Sequence, residues 1–490
     1  MHEEIDLNKQ LVELAVTAGR SHQSSQTRFV HYCHHQKDEG VNHTIPLYEN
    51  ALFALALMKM HTAQNINEGK ALLLKLLPFQ APDGNFPAYL HDFPTPLDRY
   101  AGIHLLPVFQ AVLKEFSKVI GSDLKAPLEE SAVKLLEYSL KNSESAPFHI
   151  AVKIAASAKA FGKMLERKEW EKEGEARMEA LRKDSEAMNF GSWYCPDYIA
   201  ETLIALQMLY PKISESPWKS FWEYLSKTWF PPARCYSGPA IKQLQWKRES
   251  QPTLYDLFLG DFTGGYPYHS LIDHPFQLQG ALVSPVQEEL KTVEAPKTFT
   301  GEVSDQKWIV RHEPGYAYSA IETPYPIPPE MKKGYHPFKM VWGDRNIIHS
   351  LVVQGGKFTN FDFEEKEGGC DLIYILDEEI DTGKRDPVYE VQLFCDKQEG
   401  VEFFVHDRKA TTFAFDQPIK VATPDKTFSI EFKQEGGEGR FFGHIMPGNR
   451  PSQVNLKGKH RFDAYDWQIL LRTVKRETAC QIRVVIRVLD

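Results

Sequence analysis

The stretch Trp218–Ala240, WKSFWEYLSKTWFPPARCYSGPA, is where the chain changes character. Upstream of Pro231, apolar residues recur at helical spacing with almost no strand signal. Downstream, a connector rich in Pro, Gly and aromatics leads into short alternating runs of β type. A period near 3.6 builds helices and a period of 2 builds half-buried strands, so this is the junction of an all-helical half and an all-β half. The expected architecture is multidomain α plus β. A helical domain over 1–235, an incomplete (α/α) toroid of hairpins, passes through a connector over 236–297 to an antiparallel β-sandwich over 298–490.

Within the helical half, residues 5–19 place Ile5, Leu7, Leu11, Leu14, Ala15 and Ala18 on one face. The polar stretch SHQSSQTRFVHYCHHQKDEGVNHT follows without such a period and is long for a plain connection, which makes it a candidate functional loop. Further helices are expected over 47–61, 67–77, 98–118, 128–140, 148–165, an acidic-basic stretch up to Met188, 198–210 and 218–229. Each hairpin alone leaves an apolar face open, so successive hairpins must stack. The segment LERKEWEKEGEARMEALRKDSEAM carries charge at helical spacing and is expected as a solvated outer helix.

Strand-like runs occupy 308–310, 317–322, 338–342, 347–353, 371–375, 388–394, 401–405, 411–414, 428–432, 440–445, 468–473 and 481–488. Their close spacing, with turn residues between, is that of an antiparallel sandwich.

Composition bounds the function. The net charge of -9 gives no general attraction to nucleic acid or anionic lipid, although a basic cleft for an anionic substrate stays open. The longest apolar run, Ala51–Met58, is far below the roughly 18 to 20 residues that span a bilayer, and the acidic amino terminus does not read as an export signal. The expectation is a soluble cytoplasmic protein. Six cysteines without metal-ligand spacing are expected as reduced, mostly buried thiols. Neither a phosphate-cradling G-x-x-x-x-G-K-[ST] nor a G-x-S-x-G elbow occurs. His31, His34 and His35 suit a shared helix face, but without a carboxylate or cysteine at good spacing a solvated loop is the favoured reading over a metal site.

Two short motifs carry a resemblance. QAPDGNF, from Gln80 to Phe86, supplies turn geometry at Asp83 and Gly84 and an anchor at Phe86, and resembles the Q-x-x-D-G-x-[FW] turns of helical toroids. Asn42 and His43, in VNHTIPLYEN ahead of a helix, resemble the Asn-His pair of the alginate and heparinase-type polysaccharide lyases. Those lyases combine a helical toroid with a β-sheet region. The resemblance implies β-elimination on a uronic-acid glycan: the Asn helps neutralise the carboxylate, the His assists it or removes the C5 proton, a Tyr acts as acid or base, and an Arg stands nearby. No metal or cofactor is required. The chemistry is sound, because a proton α to a carboxylate leaves only when the developing enediolate is stabilised by positioned donors. On this resemblance Asn42 and His43 would act with Tyr89, His91, Arg99 and Tyr100 in PAYLHDFPTPLDRY. The pair stands nearer the start of the chain than is usual in that family. A turn residue and a surface histidine are the plainer reading.

Other candidates come from the residues alone. In GSWYCPDYIAETL, Trp193, Tyr194 and Tyr198 suit stacking on sugar rings, while Asp197 and Glu201 at i,i+4 suit a carboxylate pair; a helix start with core aromatics is the competing reading. Arg234 and Tyr236 at the junction fit carboxylate binding plus proton transfer, and Tyr266, Tyr268, His269 and His274 follow in the connector. Three functions remain open: a polysaccharide lyase, a toroid glycoside hydrolase drawing on Asp92, Asp98, Asp197 and Glu201, and a carbohydrate-binding or scaffolding protein without catalysis.

Overall fold

The computed structural model describes residues 7–31, 45–186, 196–233, 235–238, 282, 294–303, 306–324, 337–343, 348–353, 358–376, 380–381, 388–395, 400–451 and 465–489. They fall into two compact units, one holding the described residues up to Tyr224 together with Leu282, the other those from Leu225 onward.

Among the described residues of the first unit the helices are α1 (Leu7–His22), α2 (Leu47–Lys59), α3 (Ala63–Leu76), α4 (Leu105–Phe116), α5 (Gly121–Lys141), α6 (Phe148–Met164), α7 (Lys168–Glu186), α8 (Pro196–Gln207) and α9, whose Lys219–Lys227 straddles the division between the units. They pack in two layers. The α2 helix meets α4, α4 meets α6 and α6 meets α8, while α3 covers α2, α5 covers α4 and α7 covers α6. Hydrophobicity explains the order: Ala51–Met58 is wholly buried on every side of α2, as only an inner helix can be. By contrast α7 buries little more than Trp170, Gly174 and Met178, turning its charges outward. Gly174 lets α7 close on α6, since a Cβ there would collide with the Lys159 backbone nitrogen.

Local chemistry sets several boundaries. The Thr62 hydroxyl accepts from Asn65 N at 3.2 Å, so α3 starts at Ala63, before the expected 67. The α5 helix runs through Pro127 from Gly121, where the sequence suggests a start beyond the proline. Its missing N–H costs one bond, but Leu124 and Leu128 are both wholly buried and hold one face across it. A short 3₁₀ turn, Ala101–His104, leads into α4.

In the second unit, all strand pairs among the described residues are antiparallel; beside the short pair Trp229–Phe230 and Cys235–Tyr236 they form two large sheets. One runs in the order Thr412–Phe413, Gly439–Pro451, Tyr465–Arg476, Val388–Cys395, Ile348–Val353, Phe338–Gly343, Tyr316–Ile321, Gln306–Glu313 and Lys297–Val303, with Ile380–Asp381 beside Tyr465–Arg476. The other runs Arg408–Lys409, Glu402–Val405, Ile419–Ala422, Thr427–Gly436, Cys480–Val488, Gly369–Leu376 and Asn360–Lys366. The sheets face one another. The Tyr318 hydroxyl donates to Gly369 O at 2.9 Å, the Trp342 indole donates to Thr423 Oγ1 at 3.1 Å, and the Phe413 and Phe432 rings stack at 4.9 Å. Asn360–Lys366 and Ile419–Ala422 were not among the expected strands; the first is charged along half its length, which hides its alternation. Among the described residues no helix is long and apolar enough to cross a membrane.

Candidate functional site

The amino ends of the four inner helices meet, and a polar cluster sits where they do. Tyr48 opens α2, His104 immediately precedes α4, Lys153 lies in the second turn of α6 and Glu201 in the second turn of α8. The Tyr48 and His104 rings are 5.3 Å apart. His104 Nδ1 is 2.8 Å from Lys153 Nζ and 3.4 Å from Glu201 Oε2, and Lys153 is ion-paired to Glu201. Lys153 is wholly enclosed, whereas the His104 side chain is 25% exposed, so the imidazole is the member a ligand can reach.

Burial opposes the charge on both ionised members. For Lys153 it prevails, pulling the ammonium down from the ordinary lysine range against the pull of Glu201. For Glu201 burial pushes up, but the Lys153 charge outweighs it and holds the carboxyl far below the usual range. Glu201 is therefore an anion committed to Lys153.

Across the same end runs the segment 80–104, whose first residues are the QAPDGNF turn. Asp83 Oδ1 accepts from Asn85 N at 3.0 Å, and Gly84 takes φ 99° with its Cα pressed on α5, where a Cβ would meet Lys134 O at 2.6 Å. Gln80 Nε2 donates to Gly84 O and Ser131 O at 2.8 and 2.9 Å. Phe86 is buried edge-on to Phe109 of α4. Asn85, also buried, donates to Asp98 O at 3.2 Å and accepts from Gly102 N at 3.2 Å. The turn is thus a latch that fixes the stretch leading to His104.

Four expected site residues lie on that stretch. Tyr89 bridges Pro46 through its backbone, beside the start of α2, and its ring stacks on His91 at 5.6 Å. His91 Nε2 is 3.4 Å from Asp92 Oδ1. Arg99 stacks over the Tyr100 ring and donates to its hydroxyl, and both side chains donate to Glu144 O, at 2.8 and 3.2 Å, on the turn before α6. Asp98 accepts from Tyr100 N at 2.7 Å. These residues share one segment and one end of the helical layers.

Asn42, His43, Trp193, Tyr194, Arg234, Tyr266 and His269 lie outside the described residues, as do His34, His35, Tyr268, His274 and the side chains of Asp197, Tyr198 and Tyr236. The flanks of the Asn42–His43 segment are described. Asn50 holds both: its side chain accepts from Val30 N at 2.7 Å and donates to Val30 O and to Pro46 O at 2.9 and 2.7 Å. His31 is 2.8 Å from the Thr27 hydroxyl.

Tyr48, His104 and Lys153 were not singled out from the sequence. Lys153 did leave a signal, a lone charge inside the apolar run FHIAVKIAASAKAF, where an unpaired ammonium would be costly.

No protein-family model matches the chain, and no curated protein is similar to it in sequence. Among solved structures, a heparinase III with methylated lysines is similar at TM-score 0.33 and 10% identity, over 100% of this chain and 86% of that one. Similarity at that level assigns neither family nor activity.

Proposed function

We propose that this protein is a carbohydrate-active enzyme, a lyase that cleaves uronic-acid-containing glycans by β-elimination, built on part of an (α/α) toroid with a β-sandwich. The observation that carries the reading is the convergence of His104 and Lys153 at the meeting amino ends of four inner helices. Helix amino ends carry partial positive charge and unsatisfied N–H groups, and with an imidazole donor they favour an anionic ligand such as a uronate carboxylate. In this reading His104 donates a hydrogen bond to the carboxylate, together with Asn42 and His43 on the segment whose flanks Asn50 holds. Tyr89 and Tyr100 are the tyrosines on the neighbouring segment, and one of them moves the proton, with Arg99 beside Tyr100. A hydrolase would need two carboxyls free to share the work across a cleft. Glu201 is not free for this, being ionised against Lys153.

The test is incubation with a panel of uronic-acid polysaccharides and oligosaccharides, following the ultraviolet absorbance of the unsaturated product alongside new reducing ends. Rising absorbance is expected, and Tyr→Phe at the true position among 89 and 100 should lower turnover by about 100-fold or more with the fold intact. New reducing ends without absorbance would replace the lyase with a hydrolase.

A further inference from the structure

Lys153 Nζ lies against two acceptors, Glu201 Oε2 and, at 2.8 Å, His104 Nδ1. An ammonium has three N–H donors and no lone pair, so the bond to the imidazole runs one way, from Nζ–H to Nδ1. Nδ1 is then bare, and the proton of the neutral ring sits on Nε2. Glu201 keeps the lysine charged. Were Lys153 neutral, the carboxylate would stand without a full cation in a site where the two side chains are 0% and 9% exposed. The Tyr48 ring lies against the imidazole and helps fix its plane.

We propose that Lys153 is a positioning residue that locks His104 in the Nε2–H tautomer. The ring therefore offers a ligand a hydrogen-bond donor, matched to a carboxylate oxygen, and does not act as an accepting base. The lyase reading is needed only for the identity of that ligand; the tautomer is a property of the free protein. Proton removal from the substrate then falls to another group, which is why the tyrosines matter.

The test is a long-range proton–nitrogen NMR correlation on ligand-free protein carrying 15N-histidine, with the His104 signals assigned by their loss in His104→Gln. The expected pattern is a protonated Nε2 and a bare Nδ1 at neutral pH. A protonated Nδ1, whether alone or together with Nε2, would overturn the proposal. In Lys153→Met the donor is gone and Glu201 remains 3.4 Å from Nδ1, so the proton should move to Nδ1. A folded Lys153→Met that keeps Nε2–H would show that the lysine does not set the tautomer. Should that variant not fold, Lys153→Met combined with Glu201→Leu serves: with neither the lysine donor nor the carboxylate at Nδ1 the ring should report a mixture of the two tautomers, and a ring held wholly as Nε2–H would show that the lysine does not set it. Oligogalacturonate is the binding probe, and its affinity should fall about 10-fold or more in Lys153→Met, the worth of a hydrogen bond to a charged group. An Nε2–H tautomer in a protein that turns over no uronate glycan would sink the lyase reading and leave this one standing.

Discussion

At the scale of single residues, the helical unit places a charged pair where apolar side chains would ordinarily pack. Lys153 sits among Val152, Ile154, Ala155 and Ala156 of α6, all buried, and is tolerable there because Glu201 arrives from α8. Removing one partner leaves the other charge enclosed and unpaired, which typically costs about 3–5 kcal/mol, whereas replacing both with apolar groups is often near neutral. Glu201→Gln should therefore lower unfolding stability by about 3–5 kcal/mol, and Lys153→Met combined with Glu201→Leu should recover most of it. Urea denaturation of the three proteins measures this. A double variant no more stable than Glu201→Gln would mean that the charges are not coupled. The same pair explains why Glu201 was legible as a carboxylate at helical spacing with Asp197 but not as an ion-pair partner: its partner lies 48 residues away.

At the scale of elements, the helices are pinned by polar ties at their ends. Glu68 of α3 accepts from Arg20 of α1 at 2.5 and 2.6 Å and from Arg28 at 2.6 Å, and so fastens the bend at 23–30 to both helices. The Arg20 bond, aided by Gln23 and Arg28, holds the Glu68 carboxyl down at about 2, from an ordinary 4.5. A carboxyl depressed in the folded state stabilises it above its unfolded pKa, and that contribution is lost as the pH falls through the folded value. The stability difference between wild type and Glu68→Gln should thus be full above about pH 4.5 and shrink steadily towards about pH 2. Urea titrations across that window read it directly, and a constant difference would show that the ion pair adds nothing. Some ties were visible in sequence. The QAPDGNF run announces a turn because Asp and Gly have few other uses side by side, yet nothing local reveals that Asn85 would reach Asp98 and Gly102, or that Asn50 would grip the chain at Val30 and Pro46.

At the scale of the whole molecule, two units follow different packing rules. The helical unit buries its core between inner and outer helices, and the β unit buries its core between two facing sheets. Cys370, Cys395 and Cys480 are all buried and all on interior strands of those sheets. Burial also pushes the Cys370 thiol well above its usual range, and only the thiolate reacts. Peptide mapping after iodoacetamide treatment should find these three unmodified in native protein and labelled only as denaturant opens the sheets. Labelling of Cys395 or Cys370 in buffer alone would mean that the sheets open locally.

The sequence by itself determined the order of parts, a helical half and then a β half, because the two hydrophobic periods differ and each needs only neighbours along the chain. It also marked 165–188 as an outer helix, since charge on most sides is written in composition, whereas the inner place of Ala51–Met58 emerges from its burial on every side. Tertiary structure alone decided the site. Tyr48, His104, Lys153 and Glu201 come from four helices spread over more than a hundred residues, and they meet only because the inner helices bring their amino ends together. A single side chain's role there depends on distance, direction and enclosure, none of which a local pattern carries.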